Sequence, residues 1–235
     1  ILPLEMLGYY SLAGTVAVVI VSFGGPIATA IFPQLTGLVA LNDKSNLHRL
    51  YHKSCEMISI AIMPVALTLS FFSYECIFVW TGSEIAAQKA YLAASFLVCG
   101  QLMQTMTVIP YYIALANGNV KLNIIIGIAS IILITPLLLY LTKQYGIIGS
   151  GMSWLIMNIF TFPPYMYFLH RLFLPGEFLH WCIYDVGKPL LISLACVLTF
   201  YFLLPRTDSR LLAFFLLGCV WLTSFIITTL SSSDI

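Results

Sequence analysis

Apolar residues in this chain run in long unbroken stretches, and nearly every charge falls in a gap between two of them. The stretches are Tyr9–Ile31, Glu56–Tyr74, Ala86–Ile113, Val120–Leu141, Ile147–Leu169, Lys188–Leu204 and Leu211–Leu230. A helix crossing a hydrocarbon layer of about 30 Å needs roughly 20 apolar residues. Strands of a membrane barrel would alternate polar and apolar over about ten residues, and these runs do not alternate. Since only helices and closed barrels satisfy the backbone in lipid, the pattern predicts an all-α polytopic transmembrane bundle of about seven spans, the sixth being the shortest. Pro26, Pro33, Pro64, Pro110, Pro136, Pro163 and Pro164 lie inside or at the ends of spans. Each removes one intrahelical hydrogen bond, which reads either as a fixed kink or as a hinge.

Composition agrees with a lipid solvent. Hydrophobic residues make up 60% of the chain and charged residues 8%, with a mean hydropathy of +0.99. A soluble domain carries roughly a quarter charged residues, so this chain could not cover a globular surface. If the spans alternate, one side of the membrane receives Asp43–Cys55, Ala116–Asn119, His170–Gly187 and the C-terminal tail. That side carries Lys44, Arg49, Lys53, Lys121, Arg171 and Lys188; the other carries Lys89, Lys143, Arg206 and Arg210. Basic residues accumulate on the cytoplasmic side, which predicts a cytoplasmic C-terminus and an external N-terminal edge. An external start at Ile1, with no basic leader or cleavage pattern, predicts that the chain is the C-terminal part of a longer membrane protein.

Polar residues within membrane helices usually face protein or a water-filled cavity. Ser11, Thr15, Ser22 and Thr29 lie within roughly 40° of one another at about 100° per residue. Gln101, Gln104, Thr105 and Tyr112 share a face of the third span, and Asn158 and Thr161 one of the fifth. These stripes read either as helix–helix glue, since small residues and hydroxyls permit close approach, or as the wall of a polar path. Lys, Arg, Asp and Glu are absent from mid-depth in every span, which argues against a proton pump or voltage sensor in this segment. Lys121, at a span boundary, reads as an interfacial anchor or as a contact for an anionic head group.

Catalytic and metal chemistry is weakly signalled. The six cysteines are scattered without CxxC spacing. His48, His52 and Cys55 could share a helical face, but Lys44, Arg49 and Lys53 around them oppose a cation, and Leu47, Leu50 and Tyr51 suit an interfacial helix. No metal site is expected, and no cofactor. His180 and Asp185 could serve acid–base catalysis in an intramembrane glycosyl- or acyltransferase, yet a spacing of five is poor for one α-helical face, and Trp181 with Tyr184 reads as an aromatic belt. Phosphate loops, nucleophile elbows and dinucleotide fingerprints are absent. The expectation is a protein that is not an enzyme.

Five short patterns carry a family resemblance. They are Leu4-Glu5-Met6-Leu7-Gly8-Tyr9-Tyr10-Ser11-Leu12-Ala13, Ile31-Phe32-Pro33-Gln34-Leu35 (a helix end), Val79-Trp80-Thr81-Gly82, Ala114-Leu115-Ala116-Asn117-Gly118-Asn119-Val120-Lys121 and Tyr145-Gly146-Ile147-Ile148-Gly149-Ser150-Gly151. In order and spacing they resemble the C-terminal half of the bacterial polysaccharide (O-antigen-type) flippases, within the multidrug/oligosaccharidyl-lipid/polysaccharide exporter superfamily. The resemblance implies two pseudo-symmetric helical lobes followed by two extra helices. Residues 1–170 would be the second lobe without its first helix, and 171–235 the two additional helices with an interfacial linker. It also implies alternating access in the cytoplasmic (inner) membrane for an oligosaccharide on an undecaprenyl-pyrophosphate-type lipid, serving O-antigen and lipopolysaccharide assembly. Partners implied are that lipid-linked oligosaccharide, membrane lipids, the missing N-terminal lobe and a polysaccharide polymerase machinery, but no nucleic acid. A drug or metabolite exporter of the same superfamily is the nearest alternative.

Overall fold

The computed structural model describes residues 2–204 and 209–232, and is helical throughout apart from short connections. Arg206, counted above among the basic residues, lies outside the described residues. The helices are α1 (Leu4–Ala40), α2 (Lys44–Phe71), α3 (Ser73–Thr81), α4 (Glu84–Ala116), α5 (Lys121–Phe173), α6 (Phe178–Leu203) and α7 (Arg210–Ser231). All but α3 are long and apolar enough to cross a membrane, and no strand occurs among the described residues.

Helix α5, at 53 residues, would reach about 80 Å if straight at 1.5 Å per residue, far more than a bilayer spans. It folds back instead. Gly146 takes φ 62° and ψ −137° inside the helix, a conformation that a residue with a Cβ reaches only under strain. Beyond it, the Leu141 carbonyl packs onto Gly149, leaving no room there for a side chain, and Thr142 Oγ1 lies 2.8 Å from Ser150 Oγ. At the open end, Tyr165 donates to Asn123 Oδ1 at 2.9 Å. Residues 121–145 and 147–173 are thus two antiparallel arms, matching the fourth and fifth predicted spans.

Helix ends differ more from the sequence expectation. Helix α1 does not stop near Ile31–Leu35 but runs through Pro26 and Pro33 to Ala40. The Asp43–Cys55 segment is not a linker with a separate interfacial helix. It is the start of α2, where Asp43 caps the helix by accepting from the Asn46 amide at 3.1 Å, and Leu47 and Tyr51 are buried in the core. The expected His170–Gly187 linker shrinks to residues 174–177, because α5 continues to Phe173 and α6 begins at Phe178. Charged residues at a span's end remain helical when another helix packs on them. Hydropathy alone registers only the loss of apolarity.

Alpha4 is the central helix. Ala86, Ala87, Ala90, Ala93, Ala94, Leu97 and Val98 are all buried, and α1, α2, α3 and α5 pack around it. In lipid there is little hydrophobic gain from burying one apolar side chain against another, so close packing of small residues carries the association. A Cβ at Gly151 would come within 2.8 Å of the Ala93 carbonyl oxygen, one at Gly100 within 2.6 Å of Trp154, and one at Gly24 within 2.6 Å of Thr105. At Thr107 the α4 axis steps: its amide donates to Gln104 O at 3.0 Å, and Pro110 has no N–H to offer the Met106 carbonyl. Helices α6 and α7 pack on α2 through Leu67, Phe72, Val197 and Val220.

Candidate functional site

Between α4 and the two arms of α5 runs a groove of about 360 Å³. Its polar lining comes from Gln104, Thr107, Tyr111, Asn123, Ser130, Asn158, Thr161 and Tyr165, with Trp154 and Phe162 among the apolar members. Every polar group is neutral. Gln104 takes an amide hydrogen bond from Gln101 Nε2 at 3.3 Å and is exposed. Asn158 Nδ2 donates to the Trp154 carbonyl at 2.9 Å and Thr161 to the Met157 carbonyl at 2.8 Å, so each retains acceptor capacity. Asn123 accepts from Tyr165 through Oδ1, while its Nδ2 is buried with no protein partner. The groove is thus lined by neutral groups with lone pairs to spare, and it has an unpartnered amide N–H buried in its wall.

The predicted polar residues divide among three places. Gln104, Asn158 and Thr161 meet in the groove. Gln101 stands beside it, hydrogen-bonded to Gln104. Thr105 is buried between α4 and α1, donating to Gln101 O at 2.8 Å under Gly24, and Tyr112 packs against Phe32 in a tilted contact, 5.0 Å between ring centres. Ser11, Thr15, Ser22 and Thr29 lie on the exposed face of α1, turned away from its packed side of Ala13, Ala17, Ile20, Gly24 and Ala28. Thr15, Ser22 and Thr29 each donate to a carbonyl one turn back, at 2.9, 3.2 and 3.1 Å, and the α1 stripe forms no part of the groove. Lys121 is exposed at the first position of α5. Asn123, Gly127 and Ser130 went unnoticed in the sequence, although their spacing of four and three marks one helical face.

A second cluster lies at one end of the bundle. His48 and His52 of α2 face Glu177 in the 174–177 turn: His48 Nδ1 stands 2.9 Å from Oε1 and His52 Nε2 3.0 Å from Oε2. The other nitrogen of His52 is 2.6 Å from Asp185 Oδ2. Tyr51 OH and His170 Nε2 are 3.1 Å apart beside it, with His170 Nδ1 donating to the Met166 carbonyl at 2.8 Å. Partial burial pushes the Glu177 carboxyl up, but the two imidazoles outweigh it and hold the group below the ordinary carboxylate range.

His180 and Asp185 are brought together after all, with Nε2 and Oδ1 3.9 Å apart. The spacing of five fails for an α-helix, but residues Trp181–Gly187 form a π-helical turn, in which i and i+5 align. Pro189 favours it, having no N–H for the Asp185 carbonyl. Gly187 permits it, since a Cβ there would come within 2.6 Å of the Cys182 carbonyl oxygen. The same turn removes Trp181 from the expected aromatic belt. Its ring is buried between Phe162 and His170, whereas Tyr184 stays exposed.

Comparison with known proteins adds two observations. Residues 1–89 match the family model described as "Polysaccharide biosynthesis protein". A protein of Shigella flexneri named "Putative O-antigen transporter" is 23% identical over 159 residues, covering 68% of this chain and 37% of its own length. The two matches support an O-antigen/polysaccharide exporter-type protein. The chain thus spans well under half of the curated relative it matches. No solved structure matches it. The first three of the five sequence patterns fall within the residues matched by that family model, and the hairpin pattern around Gly146 lies beyond them.

Proposed function

We propose that this chain is the C-terminal lobe of a flippase that moves a lipid-linked oligosaccharide across the cytoplasmic membrane by alternating access, with its C-terminus in the cytoplasm. The groove between α4 and α5 carries the proposal, together with the exporter-type matches. Moving a sugar through lipid strips water from its hydroxyls, and each buried polar group left without a partner costs several kcal/mol. A wall of neutral amides and hydroxyls replaces that water without fixing the sugar at a charge. The groove offers this wall along its length, from Asn123 and Tyr165 past Asn158 and Thr161 to Ser130. The lipid tail needs no such wall and stays in the bilayer.

The groove contains no cationic side chain to pair with a pyrophosphate. That task falls to a first lobe or to interfacial cations such as Lys121. Residues 1–170 act as the moving lobe and 171–235 as two further helices braced against α2. The membrane, the first lobe and the machinery that polymerises the exported repeats are the partners the proposal requires.

The test is surface display of the glycan in bacteria lacking their own exporter, with this lobe supplied alongside a first lobe. Asn158→Leu combined with Gln104→Leu puts branched apolar side chains of comparable length in place of the amides and removes four hydrogen-bonding groups. Display should fall at least tenfold at unchanged protein level, while the exposed α1 substitution Ser22→Ala leaves it unaltered. Full display with the groove double variant sinks the proposal.

A further inference from the structure

Sugar passage makes no use of the histidine–carboxylate cluster at the end of the bundle. His52, His180 and Asp185 each present one ligand atom there, and these atoms lie within 4.8 Å of one another. We propose that the three side chains form a binding site for one zinc-class divalent cation, which clamps α2 to the π-turn of α6.

The donor set suits such an ion. The two imidazole nitrogens favour zinc and its neighbours over magnesium or calcium, and a carboxylate oxygen is an accepted third ligand for zinc. Tetrahedral coordination with bonds of about 2.0–2.1 Å places ligand atoms roughly 3.3 Å apart. His180 Nε2 and Asp185 Oδ1 stand at 3.9 Å, and His52 Nδ1 and Asp185 Oδ2 at 2.6 Å, so an ion enters by rotation of the exposed His180 ring inward and by opening of the His52–Asp185 hydrogen bond. Three protein ligands leave the fourth position to water.

The surrounding groups are arranged as in an established metal centre. A metal-bound imidazole normally donates its other N–H to a carboxylate, which fixes ring orientation and tautomer. His52 has half of that arrangement: Nε2 faces Glu177 at 3.0 Å, which leaves Nδ1 for the ion once its 2.6 Å contact with Asp185 opens. Glu177 in turn is held by His48 at 2.9 Å. Asp185 is only 3% exposed and His180 51%, so the site has a buried anchor and a solvent-facing mouth.

Sequence alone argued against a cation here because Lys44, Arg49 and Lys53 surround the histidines. Those three side chains are exposed, and the carboxylates arrive from a segment more than a hundred residues away. Cys55, the third ligand suggested by spacing, is buried and is not one of the three converging ligands. The π-turn is what completes the set.

The site is independent of the transport proposal and is tested without it. The purified full chain in detergent is titrated with Zn²⁺ by calorimetry, and with Co²⁺ by visible absorption. The expected result is one saturable equivalent, a tetrahedral-type Co²⁺ band, and a thermal midpoint that rises with Zn²⁺. His180→Ala, at a half-exposed position, should weaken binding at least tenfold and abolish the thermal shift. Glu177→Gln should keep one equivalent but lower affinity about 10–100-fold. Absence of a saturable equivalent overturns the proposal, as does binding that His180→Ala leaves unchanged.

Discussion

His52 is the residue on which the two halves of the cluster turn. A neutral imidazole has one donor and one acceptor nitrogen, so with carboxylates on both sides its acceptor would face another lone pair. As an imidazolium it donates to Glu177 and Asp185 together, two charge-assisted bonds of the stronger kind. Asp185, at 3% exposure, depends on that partner. Removing one member of a buried ion pair costs about 3–5 kcal/mol, because the other is left uncompensated. His52→Ala should therefore lower the unfolding midpoint of the metal-free protein markedly. Adding Asp185→Asn should restore much of the loss, since the stranded charge is then gone. The check is a thermal-unfolding cycle over the two single variants and the double variant, run in chelator. Simple additivity would show that the pair is not coupled. Pairings of this kind leave no trace in local spacing. His48 and His52 were visible as a helical face, but their carboxylates lie 129 and 133 positions along the chain.

At the scale of elements, two backbone irregularities do most of the positioning. Gly146 reverses α5 and so places Asn123 opposite Tyr165; the π-turn rotates Asp185 onto the face of His180. Gly146→Ala should cost about 1–3 kcal/mol, the range for a residue held in a sparsely populated backbone region. Its mark would be faster protease cleavage within 143–147 and a lower unfolding midpoint, whereas an unchanged cleavage rate would mean that the reversal does not need glycine. The number and placement of the spans were legible beforehand, because lipid requires runs of roughly 20 apolar residues and tolerates few exceptions. The ends were not. Leu47 and Tyr51 sit among charges yet pack in the core, and α1 passes two prolines because a helix in lipid has no better option than to remain helical. In the groove, Asn158 and Thr161 could be found by helical period, whereas whether the α1 hydroxyls faced inward or outward depended on which side of α1 packs on α4. Ser11, Thr15, Ser22 and Thr29 carry the same local signal in either case.

Taken as a whole, the bundle sorts its connections onto two ends. Leu38, Asp43, His48, Asn117, Phe173 and Pro175 line a single cavity, so the turns after α1, α4 and α5 converge at one end. At the opposite end Arg210 donates to the carbonyls of Val79 and Trp80, at 2.6 and 3.0 Å, tying the start of α7 to the end of α3. Even numbers of crossings therefore return the chain to the same side, as strict alternation requires, and the hairpin in α5 counts as two. The basic residues Lys44, Arg49, Lys53, Lys121 and Arg171 belong to the first end, and an excess of lysine and arginine marks the cytoplasmic face. Single cysteines in a background lacking the native six test this directly. Ser45→Cys should react with a membrane-impermeant thiol reagent only after the cells are permeabilised, and Gln144→Cys at the hairpin tip should react in intact cells. The reverse pattern would invert the bundle and turn the histidine cluster to the outside. Equal labelling at both positions would break the alternation itself, and with it the placement of the groove between two aqueous faces.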